Sequence, residues 1–239
     1  MPSRNELLYI DKTDPWSSHS KIVEELAHFS PNTRVLDVGT ASGTIGRMCA
    51  GRGFLINGIE PNWDYAEIAR PYYHKLLCST LENAPDDFLQ GYDVVVCADV
   101  LEHLAEPCKN LLRLVGLQAE RSAFIISVPN VANIYIRLSL LFGRFTYGER
   151  GILDRTHLRF YTRSTLLQML DFVNLEVVLL HATPIPLNLV NPIFQQHSLG
   201  RLLHRFLAYL TNIAPGLLGY QFIIRAVTSG CGQNFQRDV

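Results

Sequence analysis

The chain has 239 residues, 48% hydrophobic and 18% charged, which excludes both a disordered polymer and a fold built on ion pairs. Twenty-one Lys and Arg against 22 Asp and Glu leave a formal charge of −1, so there is no general electrostatic pull towards nucleic acid. A chain of this length buries roughly three quarters of its unfolded surface and forms a core without covalent staples.

The opening run MPSRNELLYIDKTDPW lacks the apolar centre of a signal peptide, and no run reaches the ~18 uninterrupted apolar residues of a membrane span. Trp16-Ser17-Ser18-His19 leads into a first helix, KIVEELAHF, which Ser17 or Ser18 is placed to cap. From about Arg34 to Val128 short β-branched runs (RVLDV, FLINGIE, KLLCS, YDVVVCAD, AFIISV) alternate with helix-length stretches (GTIGRMCAGR, WDYAEIARPYY, PCKNLLRLVGL). That alternation predicts a parallel sheet covered on both faces, with ligands at the carboxyl ends of its strands.

After Pro129 the pattern breaks, and residues 129–165 read as an insertion on the substrate side, followed by a helix (TRSTLLQMLDF) and a strand (LEVVLLHA). Pro184, Pro186 and Pro192 open a second insertion, residues 184–218, which holds the basic amphipathic helix LGRLLHRFLAYL. APGLLGYQFIIRAV supplies a last strand, pairing with LEVVLLHA as a hairpin around that insertion. The predicted fold is thus α/β: a doubly wound, Rossmann-like, mostly parallel seven-stranded sheet with helical insertions near the C-terminus. Residues 1–228 form one domain and residues 229–239 a flexible tail. The apolar stretches IYIRLSLLFGRF and LGRLLHRFLAYL read first as buried helices or a homodimer face, and otherwise as a peripheral membrane contact or a greasy acceptor pocket. Five cysteines, Cys49, Cys78, Cys97, Cys108 and Cys231, form no CxxC pair and point to reduced thiols in a cytoplasm.

The sharpest chemical signal is Val35-Leu36-Asp37-Val38-Gly39-Thr40-Ala41-Ser42-Gly43, an apolar strand ending in an acid, then a loop of small residues and a helix. Such a loop lets a ligand approach the backbone closely. Asp37 at the strand end disfavours a pyrophosphate and suits a cationic or hydrogen-donating ligand. Glu60 ends the second strand, where a carboxylate accepts both hydrogens of a ribose diol.

These residues resemble the class I S-adenosylmethionine-dependent methyltransferases, with DVGTASG standing where that family has its DxGxGxG loop. The resemblance runs from about His19 to Val227, and in similar enzymes the entry segment Trp16-Ser17-Ser18-His19 folds across the cofactor, although the N-cap is the favoured reading here. The resemblance implies that Asp37 and the amides of Gly39, Thr40, Ala41 and Gly43 serve the methionine end of S-adenosylmethionine, Glu60 the ribose, and Pro61 the adenine wall. Two departures stand out: Ala41 replaces the middle glycine, and Thr80 occupies the place of an acid that bonds the adenine amino group. The Thr80 hydroxyl or the Leu81 amide would take over there.

The fourth strand leads into Ala98-Asp99-Val100-Leu101-Glu102-His103-Leu104, a run frequent near the ubiquinone-pathway O-methyltransferases, with Ala98 and Asp99 as further cofactor contacts. If helical, Asp99, Glu102 and His103 share one face. They read as a helix start whose side chains cap backbone groups, or as ligands of a divalent metal, or as catalytic groups. A metal is not expected. Downstream, Asp154-Arg155-Thr156-His157-Leu158-Arg159-Phe160-Tyr161-Thr162 resembles a run found in relatives from sugar and glycan pathways. His157 is the candidate general base, while Arg159, Tyr161 and Asn130 are candidate substrate contacts. The alternative is that His157 and Arg159 only fasten the loop through backbone carbonyls.

The implied reaction is methyl transfer to an oxygen, less readily a nitrogen, of a small-molecule, sugar or lipid-linked acceptor, leaving S-adenosylhomocysteine. A non-catalytic module retaining the cofactor pocket is the competing reading. A nicotinamide dehydrogenase is disfavoured by Asp37 and by the absence of a GxGxxG run.

Overall fold

The computed structural model describes residues 15–187 and 198–229. The opening run, Pro192, Cys231 and the tail from residue 230 lie outside them. The elements in chain order are α1 (Ser18–Leu26), β1 (Arg34–Val38), α2 (Thr44–Met48), β2 (Leu55–Glu60), α3 (Trp63–Ala69), β3 (Lys75–Cys78), α4 (Asp86–Leu89), β4 (Val94–Ala98), α5 (Pro107–Gly116) and β5 (Ala123–Pro129). There follow α6 (Ile134–Leu141), α7 (Arg163–Phe172), β6 (Leu175–Thr183), α8 (Ser198–Ile213), α9 (Pro215–Leu218) and β7 (Gln221–Thr228).

The seven strands form one sheet in the order β3-β2-β1-β4-β5-β7-β6. The first five are parallel, and β7 lies antiparallel between β5 and β6. Strand order reverses at β1 and β4, which opens a crevice at their carboxyl ends. The central strands are continuous apolar runs because both of their faces are covered. Val94 and Val96 join the cluster containing Ile22, Leu26 and Ile45 on one side. Val95 and Cys97 join Leu111, Leu114, Leu166 and Leu170 on the other. Each such buried aliphatic side chain contributes about 1.5–3 kcal/mol.

Local signals set the ends of the helices. Ser17 caps α1 by accepting from Ser20 N at 3.2 Å, and Thr162 and Thr165 form a reciprocal capping box on α7. β6 and β7 are paired as expected, with Thr183 opposite Gln221, so the second insertion leaves and rejoins the sheet at one place. Asn130 and Asn133 pin that place. Both are fully buried, and their amides donate to the Gly219 carbonyl at 2.8 Å each. Asn130 is therefore not a substrate contact: its amide holds the two insertions together, and its oxygen accepts from Ala132 N at 3.0 Å.

The burial expected for the two apolar stretches is overturned. Most large side chains of α6, and the apolar stripe of α8, face outwards. Among the described residues, no helix is long and apolar enough to cross a membrane, and Cys49, Cys78, Cys97 and Cys108 are free thiols.

Candidate active site

A cleft of about 530 Å³ opens at the carboxyl ends of β1, β2 and β4. Asp37, Gly39, Thr40, Ala41, Glu60, Pro61, Thr80, Leu81, Ala98 and Asp99 all line it, so most residues singled out in the sequence come together. The loop after β1 needs glycine for a packing reason. Gly39 has φ +72, and a Cβ there would lie 2.8 Å from Val100 Cγ2. Gly43 is different: a Cβ there would meet Ala69 of α3 at 2.9 Å, and the residue is absent from the cleft wall. Its role is helix packing rather than ligand approach.

The expected use of the loop amides is also corrected. Gly39 and Thr40 both donate to the Ile59 carbonyl (2.8 and 3.1 Å), and Gly43 donates to the Thr40 carbonyl at 2.9 Å. Ala41 N donates to Glu60 Oε2 at 2.7 Å. These donors fix the loop to β2 and to itself, so these four amides are already engaged. Ala41 takes φ +46 to do so, a left-handed conformation that costs a non-glycine residue about 1–2 kcal/mol.

Two buried carboxylates stand on neighbouring strands of the cleft. Asp37 is 1% exposed, and its Oδ2 accepts from the Tyr73 hydroxyl at 2.5 Å. Its Oδ1 is buried with no hydrogen-bond partner. Burial raises its pKa to about 7, against the lowering effect of the Tyr73 bond and with a smaller push from Glu60. Glu60 accepts from Asn62 N at 2.9 Å as well as from Ala41 N. Burial pushes its pKa up while those two amides pull it down. Each oxygen has accepted one bond and retains a lone pair for another donor.

Tyr73 was not anticipated in this site, whereas His19 belongs to the entry segment that similar enzymes fold across the cofactor. Tyr73 lies 36 positions from Asp37, with no local pattern linking them. His19, just inside α1, reaches the cleft wall, so the helix start serves as both a capped terminus and part of the site. Thr80 lines the cleft without an acid, but Glu82 lines it two positions on and is held by Asn110 Nδ2 at 3.0 Å.

Beyond β4 the expected helical face does not form. Asp99 adopts φ +56, and only Leu101–His103 makes a 3₁₀ turn. Asp99 is turned inwards, where Ser127 Oγ donates to its Oδ1 at 2.5 Å and Gln221 Nε2 to its Oδ2 at 2.9 Å. His157 takes its place beside Glu102 and His103. One ligand-type atom from each of these three lies within 4.8 Å of the others. A carboxylate with two imidazoles is a donor set that suits a transition metal or a proton relay.

His103, rather than His157, lines the cleft. The two rings meet edge-on with centroids 4.8 Å apart. His103 Nδ1 faces the Thr156 carbonyl at 3.3 Å and His157 Nδ1 the Ile152 carbonyl at 3.1 Å. Carbonyl partners place the proton on Nδ1 and leave Nε2 as the basic nitrogen. Burial holds His157 below the usual imidazole range, opposed by its bond to Ile152. Glu102 is 1% exposed, and neither carboxylate oxygen has a hydrogen-bond partner. Burial drives its pKa well up, with the charge of Asp99 adding to the effect.

The remaining loop candidates serve the architecture. Leu158 N and Arg159 N donate to the Glu102 carbonyl (2.8 and 3.0 Å), and Arg159 Nη2 donates to the Ala105 carbonyl at 2.6 Å. Arg159 lies outside the cleft wall, which corrects its assignment to an anionic substrate group. Tyr161 is buried beneath the loop, with its hydroxyl donating to the Leu101 carbonyl at 3.3 Å. It too is withdrawn from substrate. Leu104, Ala105 and Leu158 instead supply an apolar wall next to His103.

The "Methyltransferase domain" family profile matches residues 16–180. The ubiquinone biosynthesis O-methyltransferase of Rickettsia felis is 27% identical over 165 residues, covering 65% of this chain and 67% of that relative. A SAM-dependent methyltransferase from Archaeoglobus fulgidus superposes with a TM-score of 0.57 at 18% identity, covering 88% of this chain and 92% of the other. Magnesium protoporphyrin IX methyltransferase from Synechocystis PCC 6803, with bound SAH, gives a TM-score of 0.57 at 16% identity, covering 89% and 81%. The structural likenesses concern the fold; together with the matched profile and the shared sequence, they place this chain in the methyltransferase-domain family, as a class I S-adenosylmethionine-dependent methyltransferase.

Proposed function

We propose that the chain methylates an oxygen of a small-molecule acceptor, with S-adenosylmethionine held between Asp37 and Glu60. One observation carries this reading: two buried carboxylates line one cleft from adjacent strands, and Asp37 Oδ1 has no hydrogen-bond partner. A buried acceptor of this kind calls for a donor or a positive charge from a ligand. Asp37 would meet the cationic methionine end and Glu60 the ribose hydroxyls. Pro61, Thr80 and Leu81 would flank the base, and Ala98 and Asp99 would close the floor.

The bound cofactor supplies an activated methyl group on its sulfonium. The chain's own residues position the acceptor, exclude water and move one proton. In this reading His103 Nε2 removes the acceptor's hydroxyl proton as the nucleophile forms. Glu102, next to it and kept uncharged by burial, offers an unpartnered oxygen to the protonated ring, and His157 fixes the His103 ring from behind. Leu104 and Leu158 keep water from that proton and favour an apolar or aromatic acceptor; the O-methyltransferase relatives support oxygen as the nucleophile. The free thiols support a reducing, cytoplasmic setting.

Calorimetry with S-adenosylmethionine and S-adenosylhomocysteine tests the pocket. Sub-millimolar binding of both is expected, weakened in Asp37→Asn. Failure of either to bind the intact chain removes the assignment.

A further inference from the structure

We propose that α6, the turn after it and the outward stripe of α8 form a docking surface for an anionic lipid membrane. α8 is inverted with respect to an ordinary surface helix. Leu202, Phe206, Tyr209 and Ile213 recur at spacings of four, three and four, and all face solvent, with Tyr209 63% exposed. Gly200, Ala208 and Thr211 occupy the buried side. Amphipathic periodicity normally turns the apolar stripe inwards; here it is turned away from the protein.

α6 departs in another way. Leu138 and Leu140, two positions apart, face nearly opposite sides of the helix, yet they are 48% and 49% exposed. Leu141 and Phe142 are each 75% exposed. A second copy of the chain would cover one stripe of such a helix and leave the other in water. Lipid surrounds it on every exposed side.

Charge selects the kind of lipid. No Asp or Glu occurs from Val131 to Gly148 or from Ser198 to Leu218, whereas these stretches carry Arg137, Arg144, Arg201 and Arg205. On a chain whose formal charge is −1, that is a local excess of cations beside apolar and tyrosine side chains, which matches an anionic headgroup layer. The two helices are tied at one corner, where Asn133 Nδ2 donates to the carbonyls of Leu218 and Gly219 (3.2 and 2.8 Å). Both insertions leave the sheet at the edge where β5 and β6 end, the edge on which the cleft opens.

The test is co-sedimentation of the full chain with vesicles of phosphatidylcholine alone or mixed with phosphatidylglycerol. Binding to the mixed vesicles is expected, weakening as salt is raised. Leu141→Glu/Phe142→Glu and Phe206→Glu/Tyr209→Glu should each lower partition about tenfold or more, and Arg137→Gln/Arg144→Gln should remove the preference for phosphatidylglycerol. Circular dichroism and S-adenosylmethionine affinity should stay unchanged, since none of these residues lines the cleft. Absence of vesicle binding at low salt overturns the proposal. So does a Phe206→Glu/Tyr209→Glu chain that changes from dimer to monomer in sedimentation velocity while vesicle binding persists, because a second copy then covers the stripe.

Discussion

Tyr73 and Asp37, from opposite flanks of β2, share a buried 2.5 Å hydrogen bond behind the cleft wall. The phenol is itself a buried group, and Gly46 N donates to its oxygen at 3.2 Å. The bond favours the ionised form of Asp37, whereas burial favours the neutral one and prevails, placing the carboxyl at about 7.

Tyr73→Phe removes the one contact that draws the Asp37 pKa down. The carboxyl then stays neutral further above pH 7, and affinity for the cationic cofactor should fall about tenfold per unit of added shift. Calorimetry across pH measures it, and the deficit should shrink as the solution is made more alkaline.

Asp37 also links stability to pH. Its folded pKa is raised from 3.8 to about 7, so the folded chain holds a proton that the unfolded chain has already released. Stability of the ligand-free protein should therefore be greatest below the lower value and decline as pH rises towards the upper one. Thermal melts across that interval should show the decline, and Asp37→Asn should flatten it.

His103→Ala should lower turnover about a hundredfold or more, the usual contribution of a positioned base, with cofactor affinity nearly unchanged. His157→Ala, acting through the His103 ring, should have a smaller effect on the rate. Steady-state kinetics paired with calorimetry separates the two, and equal loss of rate and affinity in His103→Ala would assign this cluster to architecture.

Treatment with EDTA should leave methyl transfer unchanged, because the Glu102, His103 and His157 cluster acts on a proton in the proposed reaction. Loss of activity that zinc or magnesium restores would reassign the cluster as a metal centre.

Ala41→Gly should relieve the left-handed strain of the loop and leave Ala41's amide bond to Glu60 in place. A gain of up to about 1 kcal/mol is expected, the relief being partly offset by the greater freedom of glycine in the unfolded chain. Chemical denaturation with an unchanged slope would register it.

The sheet was legible in the sequence because strands buried on both faces must be continuous apolar runs, as in RVLDV and AFIISV. The pairing of Asp37 with Glu60 was legible too, since consecutive parallel strands bring their ends to the same edge. Tyr73 left no trace: its contact with Asp37 depends on how the chain after α3 folds back. Asp99 was misread because a helical spacing was assumed where the backbone is left-handed and the side chain turns towards Ser127. The apolar stretches disclosed their periodicity but not its direction, for a stripe looks the same in sequence whether it faces the sheet or the solvent.

Thr183 and Gln221 are partners across β6 and β7, so everything between them departs from and returns to a single rung of the ladder. Such an excursion can be lengthened, shortened or exchanged without shifting any other strand. The same rigid frame could thereby acquire new clients through changes confined to one detour, while the machinery at β1 and β2 stays untouched.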